Sequence, residues 1–149
     1  MLKGSPIWGV GFGMFADQHG RVAHNSFVHT FAELGVVGYF LWLGALVVTF
    51  QGLARLRRLA DDLPYGEEFT ELASATRLAL VGFLASALFL SRGYSPTLFI
   101  VLGIATALIG AGLRRRMISE PSPGRWIPVT VLLLGLSVVM IYLTIILGK

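Results

Sequence analysis

Four apolar stretches, parted by charged or turn-forming segments, set the pattern of the chain. The first runs from about Phe27 to Ala54, and its uncharged core from Leu34 to Leu53 meets the roughly 20 helical residues needed to cross ~30 Å of hydrocarbon. Arg55, Arg57 and Arg58 end it. A polar stretch over 59–76 follows, where Asp61, Asp62, Pro64, Gly66, Glu67, Glu68 and Glu71 supply turn chemistry and charge, with room for a short surface helix. The second span, about 78–91, is short and lies between Arg77 and Arg92. Gly93 then offers a helix stop, and Ser95 caps a new helix with Pro96 at its first position. These features predict a tight helical hairpin. The third span, 97–113, ends in Arg114, Arg115 and Arg116, and the Ser- and Pro-rich segment 119–125 reads as a linker before a last span over 126–147. The expected fold is an all-α, polytopic transmembrane helical bundle of about four spans (27–54, 78–91, 97–113 and 126–147). Residues 1–26 precede this transmembrane domain, 27–149, as an N-terminal loop.

Composition agrees with that drawing. Of 149 residues 55% are hydrophobic and only 13% charged, and the mean hydropathy is +0.76, too apolar for an ordinary soluble domain. A net charge of +4 would suggest nucleic acid in a soluble protein. Here the basic residues sit at the ends of apolar runs, so they read as an orientation signal and no nucleic-acid partner is expected. With residues 1–26 outside, Arg55, Arg57, Arg58, Arg77, Arg114, Arg115, Arg116 and Arg125 fall inside, against Lys3, Arg21, Arg92 and Lys149 outside. All the clusters lie on the inner side. In a bacterial inner membrane this orientation faces the first loop toward the periplasm or exterior. No cysteine is present, which excludes disulfides and thiolate metal sites. The first six residues show no apolar run behind a basic start, so no cleavable signal peptide is visible. Small residues four apart, Gly82 with Ser86 and Gly103 with Ala107 and Ala111, predict places where helices approach closely.

Candidate chemistry collects where the first loop meets the first span. Gly9, Gly11 and Gly13 alternate with aromatic and apolar residues from Trp8 to Phe15. That spacing suits a tight turn at a membrane surface, with anion binding by its amides as the alternative. His24, Asn25, His29 and Glu33 follow at the mouth of the span. Ionisable groups at that depth are costly, which makes them candidates for function. A neutral His24 imidazole could accept a proton from a sugar hydroxyl; alternatively it bonds loop backbone while Asn25 or Ser26 caps the helix. His29 and Glu33, four apart, share a helix face, where the carboxylate could hold the imidazole. His19 reads as solvated. The spacing of His19, His24 and His29 matches no standard zinc pattern, so no metal and no cofactor are expected. Arg92, ending a short span, either anchors at the interface beside Tyr94 or points into a wet cavity. There, like Arg21, it could capture a pyrophosphate.

The run from Pro6 to Gly44 resembles a known membrane family. Gly9-Val10-Gly11-Phe12-Gly13-Met14-Phe15, then His24-Asn25-x-Phe27, then Glu33-x-Gly35-x-x-Gly38 together look like the signature region of O-antigen ligase and O-antigen polymerase-like proteins. In that family the region joins the end of the large periplasmic loop to the next transmembrane helix. The turn Ser91-Arg92-Gly93-Tyr94-Ser95-Pro96 is similar to an outer hairpin found downstream in some members. The resemblance covers about the first third of the chain, and the rest by topology.

The resemblance implies a glycosyltransferase that moves a glycan from undecaprenyl pyrophosphate to an acceptor hydroxyl. The acceptor would be lipid A core, a growing glycan or a glycoprotein, and the place the periplasmic face of the inner membrane. It further implies that His24 positions or deprotonates the acceptor and that Glu33, with Asn25, orders the loop and helix start at the catalytic centre. Arg21, Arg92 and His29 would lie with Asn25 at the substrate, the arginines holding the pyrophosphate. Members of the family generally have ten or more membrane helices, so this chain is expected to be a C-terminal portion whose N-terminal membrane part lies elsewhere. The rival reading is a non-enzymatic four-helix subunit or scaffold of a polysaccharide assembly or export system, in which the same residues only cap and anchor.

Overall fold

A computed structural model describes residues 5–11, 13–14, 25–60, 66–90, 94–119 and 124–147. Its long elements are helices: α1 (Ser26–Ala60), α2 (Gly66–Ala87), α3 (Pro96–Arg114) and α4 (Trp126–Leu147). No strand occurs among the described residues, so the all-α class stands. Three helices, α1, α3 and α4, are long and apolar enough to cross a membrane, the mark of a multi-pass membrane protein. In α3 and α4 little of the apolar stretch is covered by protein. Exposed Phe99, Ile100 and Ile104 on α3 and Leu132, Leu136 and Met140 on α4 therefore suit lipid as their solvent.

The second helix departs from expectation. It spans Gly66–Ala87 in place of 78–91, and so takes up residues 66–76 of the expected polar loop. Glu67 and Glu68 occupy its first turn, where the positive end of the helix dipole favours carboxylates. The short helix for which the polar stretch left room is thus continuous with the start of the second apolar run. The start of α3 agrees with the sequence: Ser95 Oγ accepts from the Thr97 amide at 3.2 Å and Pro96 takes the first helical position.

The chain divides into two compact units. The first gathers described residues within 1–44, 86–93 and 127–149. Its core is Phe31, Tyr39, Leu43 and Ile141, with Phe27, Val28, Val36, Trp42, Leu134 and Val138 packed around it. Phe31 meets Tyr39 edge to face at 5.4 Å between centroids, and Tyr39 stacks on Trp42 at 5.9 Å. The Tyr39 hydroxyl, which could not be left unpaired in such surroundings, shares a 2.6 Å hydrogen bond with Ser137 of α4.

The second unit gathers described residues within 45–85 and 94–126. Here the end of α1 runs parallel to the end of α3. A Cβ added at Gly52 would lie 2.5 Å from Ile109 Cδ1, and one at Gly112 would lie 2.6 Å from Leu56 Cδ1. The helices thus touch through glycines other than those expected: Gly82 and Gly103 meet nothing within 4 Å. Small-residue spacing permits close approach, but only the facing side chains decide where it happens. Arg55 donates to Ser119 Oγ at 3.1 Å, and Thr70 Oγ1 of α2 donates to the Arg57 carbonyl at 3.4 Å. Beyond α3 the Arg116 amide bonds the Leu113 carbonyl and the Met117 amide bonds the Gly112 carbonyl, the paired closure of a Schellman ending. Arg116 holds the left-handed position with φ 57°. Glycine usually stands there, and a side chain costs about 1–2 kcal/mol more.

Candidate functional site at the broken start of the first helix

Asn25 opens α1. Its Oδ1 accepts from the Phe27 amide at 2.9 Å and the Val28 amide at 3.3 Å, satisfying two of the donors that a helix start leaves over. Ser26, the other capping candidate, is fully buried and its hydroxyl donates to the Leu90 carbonyl. That bond ties the head of α1 to the segment just before Arg92. Ser26 and Leu90 each lie two positions along the chain from a candidate residue, His24 and Arg92. His24, Arg21, Arg92 and His19 themselves lie outside the described residues.

One turn into the helix, His29 Nε2 stands 3.3 Å from Glu33 Oε1. The expected i, i+4 pair is therefore made. Glu33 is 1% exposed and the His29 side chain 16%, so the carboxylate is enclosed while the imidazole keeps an edge to the outside. Thr30, between them, is fully buried, and its hydroxyl finds no hydrogen-bond partner among the described residues. Nothing in the sequence singled it out. A buried carboxylate needs a hydrogen-bonding neighbour to be tolerated in such a place, and a ring N–H of His29 supplies one.

Immediately after Glu33 the helix breaks. Gly35 has φ 65° and ψ −173°, a backbone state that only glycine adopts readily. The break frees carbonyls on one side and amides on the other, and the glycine-rich loop meets both. Val10 and Gly11 amides donate to the carbonyls of Ala32 (3.0 Å) and Glu33 (3.1 Å), while the Val36 and Val37 amides donate to Pro6 (3.0 Å) and Ile7 (3.4 Å). Such a break is tolerated at membrane depth where protein groups take up the freed bonds. Two glycines make the contact possible. A Cβ at Gly9 would sit 2.1 Å from the Glu33 carbonyl oxygen, and one at Gly35 would sit 2.3 Å from the Ile7 oxygen. At Gly38 a Cβ would meet Leu34 Cβ at 2.7 Å, so the last glycine of the motif makes room for the side chain just before the break.

This interlock engages Gly9 and Gly11, two of the three alternating glycines. The Gly9 amide bonds the Ser5 carbonyl at 2.9 Å, so the amides of residues 9 to 11 are all engaged within the chain and are not free to cradle a phosphate. Positive φ at Gly9, Gly11 and Gly13 fits the tight turn. The spacing pointed to tight backbone conformations, but no local pattern could reveal that Gly9 and Gly35 are each other's partners. Among the described residues no group of three or more His, Asp or Glu is placed to hold a metal ion. The arrangement offers instead a fixed imidazole and carboxylate at the head of a membrane-crossing helix, suited to proton handling and hydrogen bonding.

Compared with protein-family models, curated proteins and solved structures, the chain matches none.

Proposed function

We propose that this protein acts in O-antigen ligase or polymerase-like glycosyl transfer, moving an undecaprenyl-pyrophosphate-linked glycan to an acceptor hydroxyl at the periplasmic face of a bacterial inner membrane. The observation that carries the reading is the enclosed His29–Glu33 pair at the broken head of a membrane-crossing helix, directly after His24-Asn25. In the proposed reaction His24 accepts the proton of the acceptor hydroxyl. The oxygen attacks the anomeric carbon, and the bond from that carbon to the pyrophosphate oxygen breaks. Arg21 and Arg92 neutralise the charge that develops on the leaving lipid pyrophosphate. Glu33 and His29 hold the loop and helix head in register for that step, and Asn25 fixes where the helix begins.

Transfer of lipid-linked glycan in membranes tests the reading. His24→Ala is expected to lower transfer about 10²- to 10⁴-fold, the usual worth of a general base, with insertion unchanged; undiminished transfer would remove the proposal. Sidedness can be checked on the same chain. Because the sequence has no cysteine, a single thiol introduced by His24→Cys should react with a membrane-impermeant reagent from outside only. The non-enzymatic subunit remains the second reading, favoured by the use of Asn25 Oδ1 and the loop amides in closing the helix. It expects His24→Ala to leave both glycan output and assembly intact.

A further inference from the structure

At the far end of α1 the packing gathers arginines that the sequence lists in two separate runs. Parallel contact through Gly52 and Gly112 brings the end of α1, with Arg55, Arg57 and Arg58, beside the end of α3, with Arg114, Arg115 and Arg116. Arg55 is held by Ser119, and Arg115 lies 5.3 Å above the Phe69 ring, a cation–π placement. Arg57, Arg58, Arg114, Arg115 and Arg116 are exposed. Among the described residues none of these five makes an ion pair, although Glu67, Glu68 and Glu71 belong to the same unit. Arg116 adds an independent sign, since a charged side chain occupies the left-handed position that glycine would fill with less strain. Strain kept at one residue of an otherwise regular ending points to a use for that side chain.

We propose that this arginine cluster is a binding site for the headgroup of an anionic phospholipid in the leaflet where α1 and α3 end. Guanidinium groups bind phosphate oxygens in bidentate fashion, and basic clusters at the ends of membrane spans recognise anionic lipid. The surroundings fit a lipid better than a soluble anion. Leu59, next to Arg58, is a large apolar side chain left about half exposed. It supplies an apolar flank beside the guanidinium groups for the start of an acyl chain. The proposal does not depend on glycosyl transfer.

Native mass spectrometry of the full chain, titrated in non-ionic detergent with phosphatidylglycerol or phosphatidylcholine, provides the test. Phosphatidylglycerol should bind more tightly, and each arginine removed in Arg57→Gln/Arg58→Gln or Arg115→Gln/Arg116→Gln should weaken it about fivefold. Lys149→Gln should leave the preference unchanged. Arg116→Gly separates charge from fold: it should lower phosphatidylglycerol affinity while raising the unfolding midpoint, because it relieves the left-handed strain. Equal binding of the two lipids, an equal loss in Lys149→Gln, or affinity untouched by the arginine variants would overturn the proposal. Full displacement by inorganic phosphate would overturn it too, by showing a soluble anion to be the occupant.

Discussion

Replacing Gly35 by alanine should do more damage than its single methyl group suggests. The φ of 65° with ψ near 180° costs a non-glycine residue about 1–3 kcal/mol. The new Cβ would lie 2.3 Å from the Ile7 oxygen, 2.4 Å from the Gly9 nitrogen and 2.6 Å from the Ile7 carbonyl carbon. All three are backbone atoms, so no rotamer change relieves the clash and the loop must withdraw. Withdrawal breaks some or all of the bonds from Val10, Gly11, Val36 and Val37, each with a net worth of about 0.5–1.5 kcal/mol. Alanine recovers about 0.4–1 kcal/mol by restricting the unfolded chain, leaving a destabilisation of about 2–9 kcal/mol if all four bonds are lost. Unfolding in mixed micelles followed by helicity would read that loss. Amide exchange would show lost protection at Val10, Gly11, Val36 and Val37 in particular. Gly103→Ala is the control, because nothing lies within 4 Å of its added methyl and an interior helical glycine gains about 0.5–1 kcal/mol on becoming alanine. A Gly35→Ala protein as stable as the Gly103→Ala protein, with those four amides still protected, would refute the interlock.

Two further substitutions probe the helix head and the paired helix ends. Asn25→Ala removes the acceptor for the Phe27 and Val28 amides and should cost about 1 kcal/mol, with faster exchange confined to the first turn of α1; Asn25→Ser should recover most of the loss. Gly112→Leu places a side chain where Leu56 already stands and should cost about 1–3 kcal/mol by overpacking, whereas Gly82→Leu, in open space, should raise the unfolding midpoint by the roughly 0.5–1 kcal/mol of helix propensity that glycine gives up.

Much of the architecture was legible in the chain because membrane helices announce themselves by length and apolarity. α3 and α4 begin and end close to where charge and capping residues place them, whereas α1 runs on through Arg55, Arg57 and Arg58 to Ala60, and Ser95-Pro96 marked the start of α3 outright. For α2, room for a helix in the polar stretch was visible, but not that this helix runs on unbroken into the apolar residues up to Ala87. Asn25 and the His29–Glu33 pair were legible for a related reason: caps and i, i+4 neighbours are local, and a helix fixes both geometries.

Local pattern by itself therefore determined that the chain is an all-helical membrane protein, where most of its helices run, and which polar residues crowd the head of the first. Tertiary structure alone decided that this helix breaks at Gly35, that the loop through Gly9 closes the break, and that Gly52 and Gly112, not Gly82 and Gly103, bring two arginine runs together. The reason is one of range. Periodicity, capping and charge placement act over a few residues, whereas two backbones more than twenty residues apart find each other only once the packed chain has left no room between them for a single Cβ.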